Sequence, residues 1–194
     1  MPTNQIIAKR GDVLLELFRE QVPAGTLLVS SQVLSLASPV FEAMFNGTFA
    51  EGQGLSPASP KKVALPDDNP DSMTLLAKIT HMQTDNLPER ASFNDLADFA
   101  LICDKYHCAA AVRSWSKVQI AEKLSDPSAP SYEKLLFITY VLDLHVEFAQ
   151  ASLRIARDSA CAIRYQHATH GVDLLPIAVV GEQTNSPTQL HLAV

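Results

Sequence analysis

The chain has 194 residues, 47% of them hydrophobic and 19% charged, with a formal net charge of −6. That apolar share supports a real core, and the length admits one domain with an extension or two small domains. The 15 Lys and Arg are scattered, which argues against a nucleic-acid partner, because phosphate-binding faces gather basic side chains.

The first ten residues are polar and lack the apolar segment of a secretory signal. No apolar run approaches the ~20 residues that cross a bilayer, so no membrane partner is expected. Three cysteines, Cys103, Cys108 and Cys161, cannot all pair, which suits a reducing, intracellular setting in the cytoplasm or nucleus.

From Asp12 to Phe18 the chain alternates, with Val13, Leu15 and Leu17 on one side and Leu14, Glu16 and Phe18 on the other, as in a strand buried on one face. Gln21–Gly25 carries Pro23 and Gly25 and predicts a turn, and Thr26–Val29 a second strand. The pair reads as a hairpin with a loop longer than two residues. Ser30 or Ser31 caps a short helix through Val33, Leu34 and Ala37. Ser38-Pro39 starts the next, with Val40, Phe41, Met44 and Phe45 as its apolar face. Asn46-Gly47 is expected to stop it in the left-handed conformation. Asn46-Gly47-Thr48, formally a glycosylation acceptor, reads as a turn in a chain without an export signal.

Residues 46–61 form a Gly/Ser/Pro-rich loop in which Ser56-Pro57 and Ser59-Pro60 read as turn chemistry. Lys62–Leu65 is a short third strand. Asn69, followed by Pro70 and Asp71, caps a helix with Leu75, Leu76, Ile79 and Met82 as its stripe. Ser92 and Asp95 resemble a capping box. Leu96, Phe99, Ala100 and Cys103 then recur at i, i+3, i+4 and i+7. A further helix spans Ala109–Leu124, with Val112 and Trp115 inward. Ser125–Pro130 marks a boundary. Beyond it, Tyr132–Leu142 and Val146–Ile163 read as two helices whose Leu135, Leu136, Ile138, Phe148, Leu153 and Ala156 pack back on the core. From 166 to 194 the chain reads as mostly irregular.

Several phrases, in order, resemble the BTB/POZ family. That family shows an Asp opening a strand, then H-x-x-V-L-x-x-x-S-x-x-F-x-x-M-F, then a loop ending in a hydrophobic residue, any residue and Glu. Here stand Asp12, Ser31-Gln32-Val33-Leu34, Ser38, Phe41, Met44-Phe45 and Phe49-Ala50-Glu51. The likeness continues through Lys62–Leu65, Asn69–Met82 and Leu96–Trp115. Ser30-Ser31 departs from the Ala-His of many members, and with L-S-L-A-S-P-V-F it looks like the fungal branch. The resemblance covers residues 11–124, leaving 125–165 as a helical extension.

It implies an α+β fold: a helical cluster capped by about three short strands, acting in protein–protein interaction without catalysis. Phe49, Ala50 and Glu51 become candidate contacts to the cullin-3 scaffold of a ubiquitin ligase. A buried aromatic anchor beside a charged neighbour is a common hot-spot layout. The alternatives are a scaffold or oligomerisation module, and an enzyme with an unrecognised site. Many family members dimerise by exchanging a segment ahead of the core. With about ten polar residues before the first predicted strand, that exchange is not expected here, although self-association through helical faces stays open.

No metal or cofactor is implied. Cys103 and His107 share a helix face with Cys108 adjacent, but Cys103 continues the apolar stripe, where it acts as a small hydrophobe. His167 and His170 near Cys161 read as surface histidines. Asp67, Asp68 and Asp71 read as acids at a helix start. No G-x-S-x-G, P-loop or G-x-G-x-x-G occurs.

Overall fold

The computed structural model describes residues 3–125 and 132–158. The alternating segment is strand β2 (Val13–Arg19). It buries Val13, Leu15 and Leu17 and leaves Leu14, Glu16 and Phe18 half-covered. Strand β3 (Val22–Val29) pairs antiparallel with it. Its Leu27 and Val29 complete the inner face of the hairpin.

The turn differs from expectation. It is a two-residue turn, Glu20-Gln21, with φ of 50 and 67. Two successive positive values match the twist of a tight hairpin. Neither residue type advertises that conformation, so turn chemistry pointed to Pro23 and Gly25, which belong to β3 instead. There the register shifts between Leu17 and Phe18, which face Gly25 and Pro23.

A strand also lies in the polar start of the chain. β1 (Thr3–Ile6) runs parallel to β3, from Thr3 opposite Gly25 to Ile6 opposite Leu28. Its residues are largely exposed, so burial left no period-two pattern in the sequence. Backbone bonds hold it, joined by the Thr26 hydroxyl donating to the Asn4 side-chain amide oxygen at 3.0 Å. Gly25 is needed for this approach: a Cβ there would lie 2.1 Å from the Thr3 carbonyl oxygen. Strand β4 (Lys61–Leu65) pairs parallel to β2, giving a four-stranded sheet in the order β1-β3-β2-β4.

The helices start where capping residues put them. Ser30 caps α1 (Ser31–Ala37), and Ser38 caps α2 (Pro39–Asn46), accepting from Phe41 N–H at 3.1 Å. Asn69 caps α3 (Pro70–Thr80) by accepting from the N–H groups of Asp71 and Ser72. Ser92 and Asp95 form a reciprocal capping box on α4 (Phe93–Lys105), each side chain 3.1 Å from the other's N–H. Then come α5 (Ala109–Ser125), α6 (Tyr132–Val141) and α7 (His145–Asp158).

The fold is α+β: a helical cluster capped by a small sheet. One apolar core joins the sheet's inner face to Leu34, Phe41, Met73, Leu96, Phe99 and Val112. Leu135, Leu136, Phe137 and Ile138 of α6 are buried in the same core, α6 packing on α4 and α7. Each such side chain fully removed from water contributes about 1.5–3 kcal/mol.

Other local expectations change. Gly47, after α2, has φ −87 rather than a left-handed value. Met82 is exposed, because α3 ends at Thr80 and Met82 itself turns out at φ 57. Leu153 and Ala156 face outward from α7 instead of covering the core, which Ala151 and Ile155 reach. Among the described residues no helix is long and apolar enough to cross a membrane. Residues 126–131, Cys161, His167, His170, the predicted end of the last helix to Ile163 and the 166–194 segment lie outside the described residues.

Candidate functional site

Phe49, Ala50 and Glu51 lie where α2 gives way to the 46–61 loop. Ala50–Gly52 forms one turn of 3₁₀-helix, capped by Gly52 N–H to Phe49 C=O at 3.2 Å and Gln53 N–H to Ala50 C=O at 3.2 Å. Lys61, at the start of β4, reaches across and donates its ammonium to the carbonyls of Ala50 and of Gln53, the latter at 3.0 Å. The turn also presses against the end of α2, since a Cβ on Gly52 would sit 2.4 Å from the Phe45 carbonyl oxygen. Leu55 packs partly on the core and pins the far side of the loop.

The backbone is therefore held while the side chains are presented. Phe49 is 58% exposed on the tip, and Glu51 is half-exposed with no ion pair among the described residues. An exposed ring on a fixed turn loses little further freedom when a partner covers it. Ser56 and Ser59 sit in a tight turn beside it, with Ser59 N–H bonded to Ser56 C=O at 3.1 Å. The adjacent Lys62 pairs with Glu16 at 3.2 Å.

A second constellation is buried. Asp68 accepts from the Tyr106 hydroxyl at 2.5 Å and from the Lys105 ammonium at 2.5 Å. Its side chain is 1% exposed, that of Lys105 50%. The Ser38 hydroxyl donates to the Tyr106 carbonyl at 2.5 Å, and the Tyr106 ring stacks on Phe41 at 4.2 Å. This node ties the start of α2, the segment before α3 and the end of α4. Burial, then the bond to Asp68, pushes the Tyr106 hydroxyl pKa up, so it stays a protonated donor. The acids expected at a helix start thus divide: Asp68 is part of the node, and Asp71 pairs with Arg19 at 2.7 Å. Asp12 binds both the N–H and the hydroxyl of Ser31, at 2.8 and 2.6 Å, tying β2 to α1.

Cys103 is buried in the core and Cys108 beside it donates weakly to the Cys103 carbonyl at 3.6 Å. Burial pushes the Cys103 thiol up, with Cys108 adding to the effect, which disfavours the thiolate that metals bind. His107 points away, exposed at the end of α4 with φ 50. Among the described residues no three His, Cys, Asp or Glu are grouped to hold a metal.

His81 was given no role by its sequence context. Its Nδ1–H donates to the Ala77 carbonyl at 2.8 Å, which leaves Nε2 to accept from the Ser30 N–H at 3.0 Å. It thereby joins the end of α3 to the N-cap of α1. Burial holds its pKa below the ordinary 6.5, with the Ala77 bond pulling the other way.

Two surface clefts flank the Arg19–Asp71 pair. One, of about 380 Å³, runs between α3 and the start of α4 past Lys78, Pro88, Arg90 and Asp98. The other, of about 800 Å³, lies under the hairpin against Val22, Pro23 and Pro70. The groups with shifted pKa values, His81, Cys103 and Tyr106, line neither.

No family model and no curated protein matches this chain.

Proposed function

We propose that this chain is an intracellular, BTB/POZ-like protein-interaction module without a catalytic role. Its Phe49-Ala50-Glu51 turn is the contact by which it links a target to a cullin-3 type ligase scaffold. The observation that carries the reading is Phe49: a large aromatic side chain, exposed, on a turn whose backbone is fixed by Lys61. The order of elements adds support. Hairpin, paired short helices, a strand parallel to the first hairpin strand and a closing pair of helices follow the order that the sequence resemblance implies.

In this reading Phe49 is the anchor and Glu51 the polar neighbour that sets register. Truncating an anchor aromatic costs about 2 kcal/mol or more, roughly a thirtyfold loss of affinity. Calorimetric titration with the N-terminal part of cullin-3 tests this on wild type, Phe49→Ala and Ser56→Ala. Wild type and Ser56→Ala are expected to bind alike, and Phe49→Ala to bind at least about thirtyfold more weakly. Absence of wild-type binding removes the adaptor role, and equal affinity for Phe49→Ala moves the contact elsewhere.

A second reading, a scaffold or oligomerisation module, is favoured by one specific observation, an exposed apolar stripe along α7.

A further inference from the structure

Of the serines that precede a proline, Ser38, Ser56, Ser59 and Ser186, only Ser59 has a basic residue three positions on, in the run Ser59-Pro60-Lys61-Lys62. The structure separates them on independent grounds. Ser38 is buried, and its hydroxyl donates to the Tyr106 carbonyl. Ser56 is half-buried, and its hydroxyl accepts from the Ala58 N–H at 3.3 Å. Ser59 is exposed, and its hydroxyl makes no hydrogen bond among the described residues. Ser186 lies outside the described residues. The serine that the sequence marks is thus also one whose oxygen is free to react.

The residues after Ser59 are laid out for an enzyme to read. Lys61–Leu65 is β4, an outer strand of the sheet, paired with β2 on one side. Its backbone is extended, the form in which a peptide groove reads alternate side chains. Lys62 keeps its side chain 70% exposed. Pro60 has no N–H to satisfy. A groove that offers no acceptor at that place would leave the N–H of any other residue unpaired, and so selects proline. An acidic side chain in the same groove then meets Lys62.

We propose that Ser59 is a phosphorylation site for a proline-directed kinase that reads Lys62, and that its phosphate draws Lys61 off the turn beneath Phe49. The Ser59 oxygen attacks the γ-phosphorus of ATP. The new O–P bond forms as the bond to ADP breaks, ADP leaves with the electron pair, and the hydroxyl proton passes to the kinase's base. The product carries about −1.5 to −2 charge at pH 7 and three strong acceptor oxygens. It stands two residues from Lys61, whose ammonium holds the carbonyls of Ala50 and Gln53. Attraction of ion to ion outweighs that of ion to carbonyl dipole, so the ammonium turns to the phosphate and the turn loses its side-chain tie. The value of that release for recognition rests on the proposed role of Phe49. The modification and the release themselves do not.

The folded full chain, incubated with ATP and a purified cyclin-dependent kinase, tests this by fragment mass spectrometry and by amide exchange in NMR. Phosphate is expected on Ser59 ahead of Ser56 and Ser186. Lys62→Ala is expected to slow its uptake at least about tenfold, and Lys62→Arg to keep it, with thermal midpoints unchanged because the Lys62–Glu16 pair is exposed at the Lys end. In the phosphorylated chain the Gly52 and Gln53 amides, which close the turn, are expected to exchange at least about threefold faster. Lys61→Ala is expected to show that faster exchange before phosphorylation and no further gain after it. No phosphate on Ser59, phosphate on Ser56 or Ser186 first, or a rate indifferent to Lys62→Ala overturns the proposed site. Unchanged exchange after phosphorylation overturns the release. No cullin enters the experiment, so its failure and that of the ligase reading are told apart.

Discussion

Phe41 and Phe49 are eight residues apart and each stands near an acid, yet they serve opposite ends. Phe41, on α2, is 1% exposed and stacked between Phe45, at 5.8 Å, and Tyr106, at 4.2 Å. The acid at that end, Asp68, is spent inside the protein on Tyr106 and Lys105. Phe49, just past the end of α2, is exposed, and its acid, Glu51, has no ion pair among the described residues. The backbones of both regions are tied by hydrogen bonds, one by Ser38 and Tyr106, the other by Lys61 and Gln53. What separates the buried ring from the exposed one is therefore not order but the direction in which unspent interactions point.

The contrast breaks most visibly at the buried node. Asp68→Ala removes the acceptor of a buried hydroxyl and leaves Tyr106 unsatisfied, while the half-exposed Lys105 recovers water. The expected loss of unfolding free energy is about 2–4 kcal/mol, nearly all from the Tyr106 side. Chemical denaturation measures it. A loss below about 0.5 kcal/mol contradicts the node as a stabilising unit.

Trp115 sharpens the scale between the two extremes. It meets Phe99 edge-on at 5.3 Å and 78° but is only half-buried. Trp115→Ala is expected to cost about 2–3 kcal/mol, at or below the low end of the range for fully buried aromatics. A larger loss than that of Phe41→Ala places the centre of the core at α5 rather than α2.

His81 adds a pH dependence to the buried side alone. Its folded pKa lies below its unfolded value of about 6.5, so the unfolded chain binds the proton first as pH falls. The Ser30 bond is therefore fully present above pH 6.5 and is lost as pH drops through the lowered folded value. The groups against the ring are the Ala77 carbonyl, the Thr80 hydroxyl and the Ser30 N–H, none of which titrates. Unfolding free energy is expected to fall by about 1 kcal/mol more in wild type than in His81→Gln on going from pH 7.5 to below pH 6. Identical pH slopes in the two proteins rule the contact out as a source of stability.

Much of this was legible in the sequence because it rests on local chemistry. Ser38-Pro39, Asn69-Pro70 and Ser92 with Asp95 are caps that act within four residues, and they start helices where such signals say they should. Alternation from Val13 to Leu17 fixed the buried face of the hairpin for the same reason. Some failures are local, as at the Glu20-Gln21 turn and Gly47, where the residue types do not announce the backbone they adopt, and the others are matters of what lies across space. β1 has no apolar period, and its place depends on Gly25, more than twenty residues away. Asp68 meets its partners 37 and 38 residues on. Leu153 and Ala156 fit an inward stripe as well as an outward one until the position of α5 and α6 is known. At the candidate site the phrase Phe49-Ala50-Glu51 was visible, but the reach of Lys61 that makes it a fixed turn was not.

In the proposed reading α2 carries stability while the turn beyond it is free to carry recognition. Unfolding of Phe41→Ala and Phe49→Ala by denaturant, under one set of conditions, tests it most directly. Phe41→Ala is expected to lose about 3–5 kcal/mol. Phe49→Ala is expected to stay within about 0.5 kcal/mol of wild type, as surface substitutions do. Comparable losses in the two variants make Phe49 a core residue and contradict the claim.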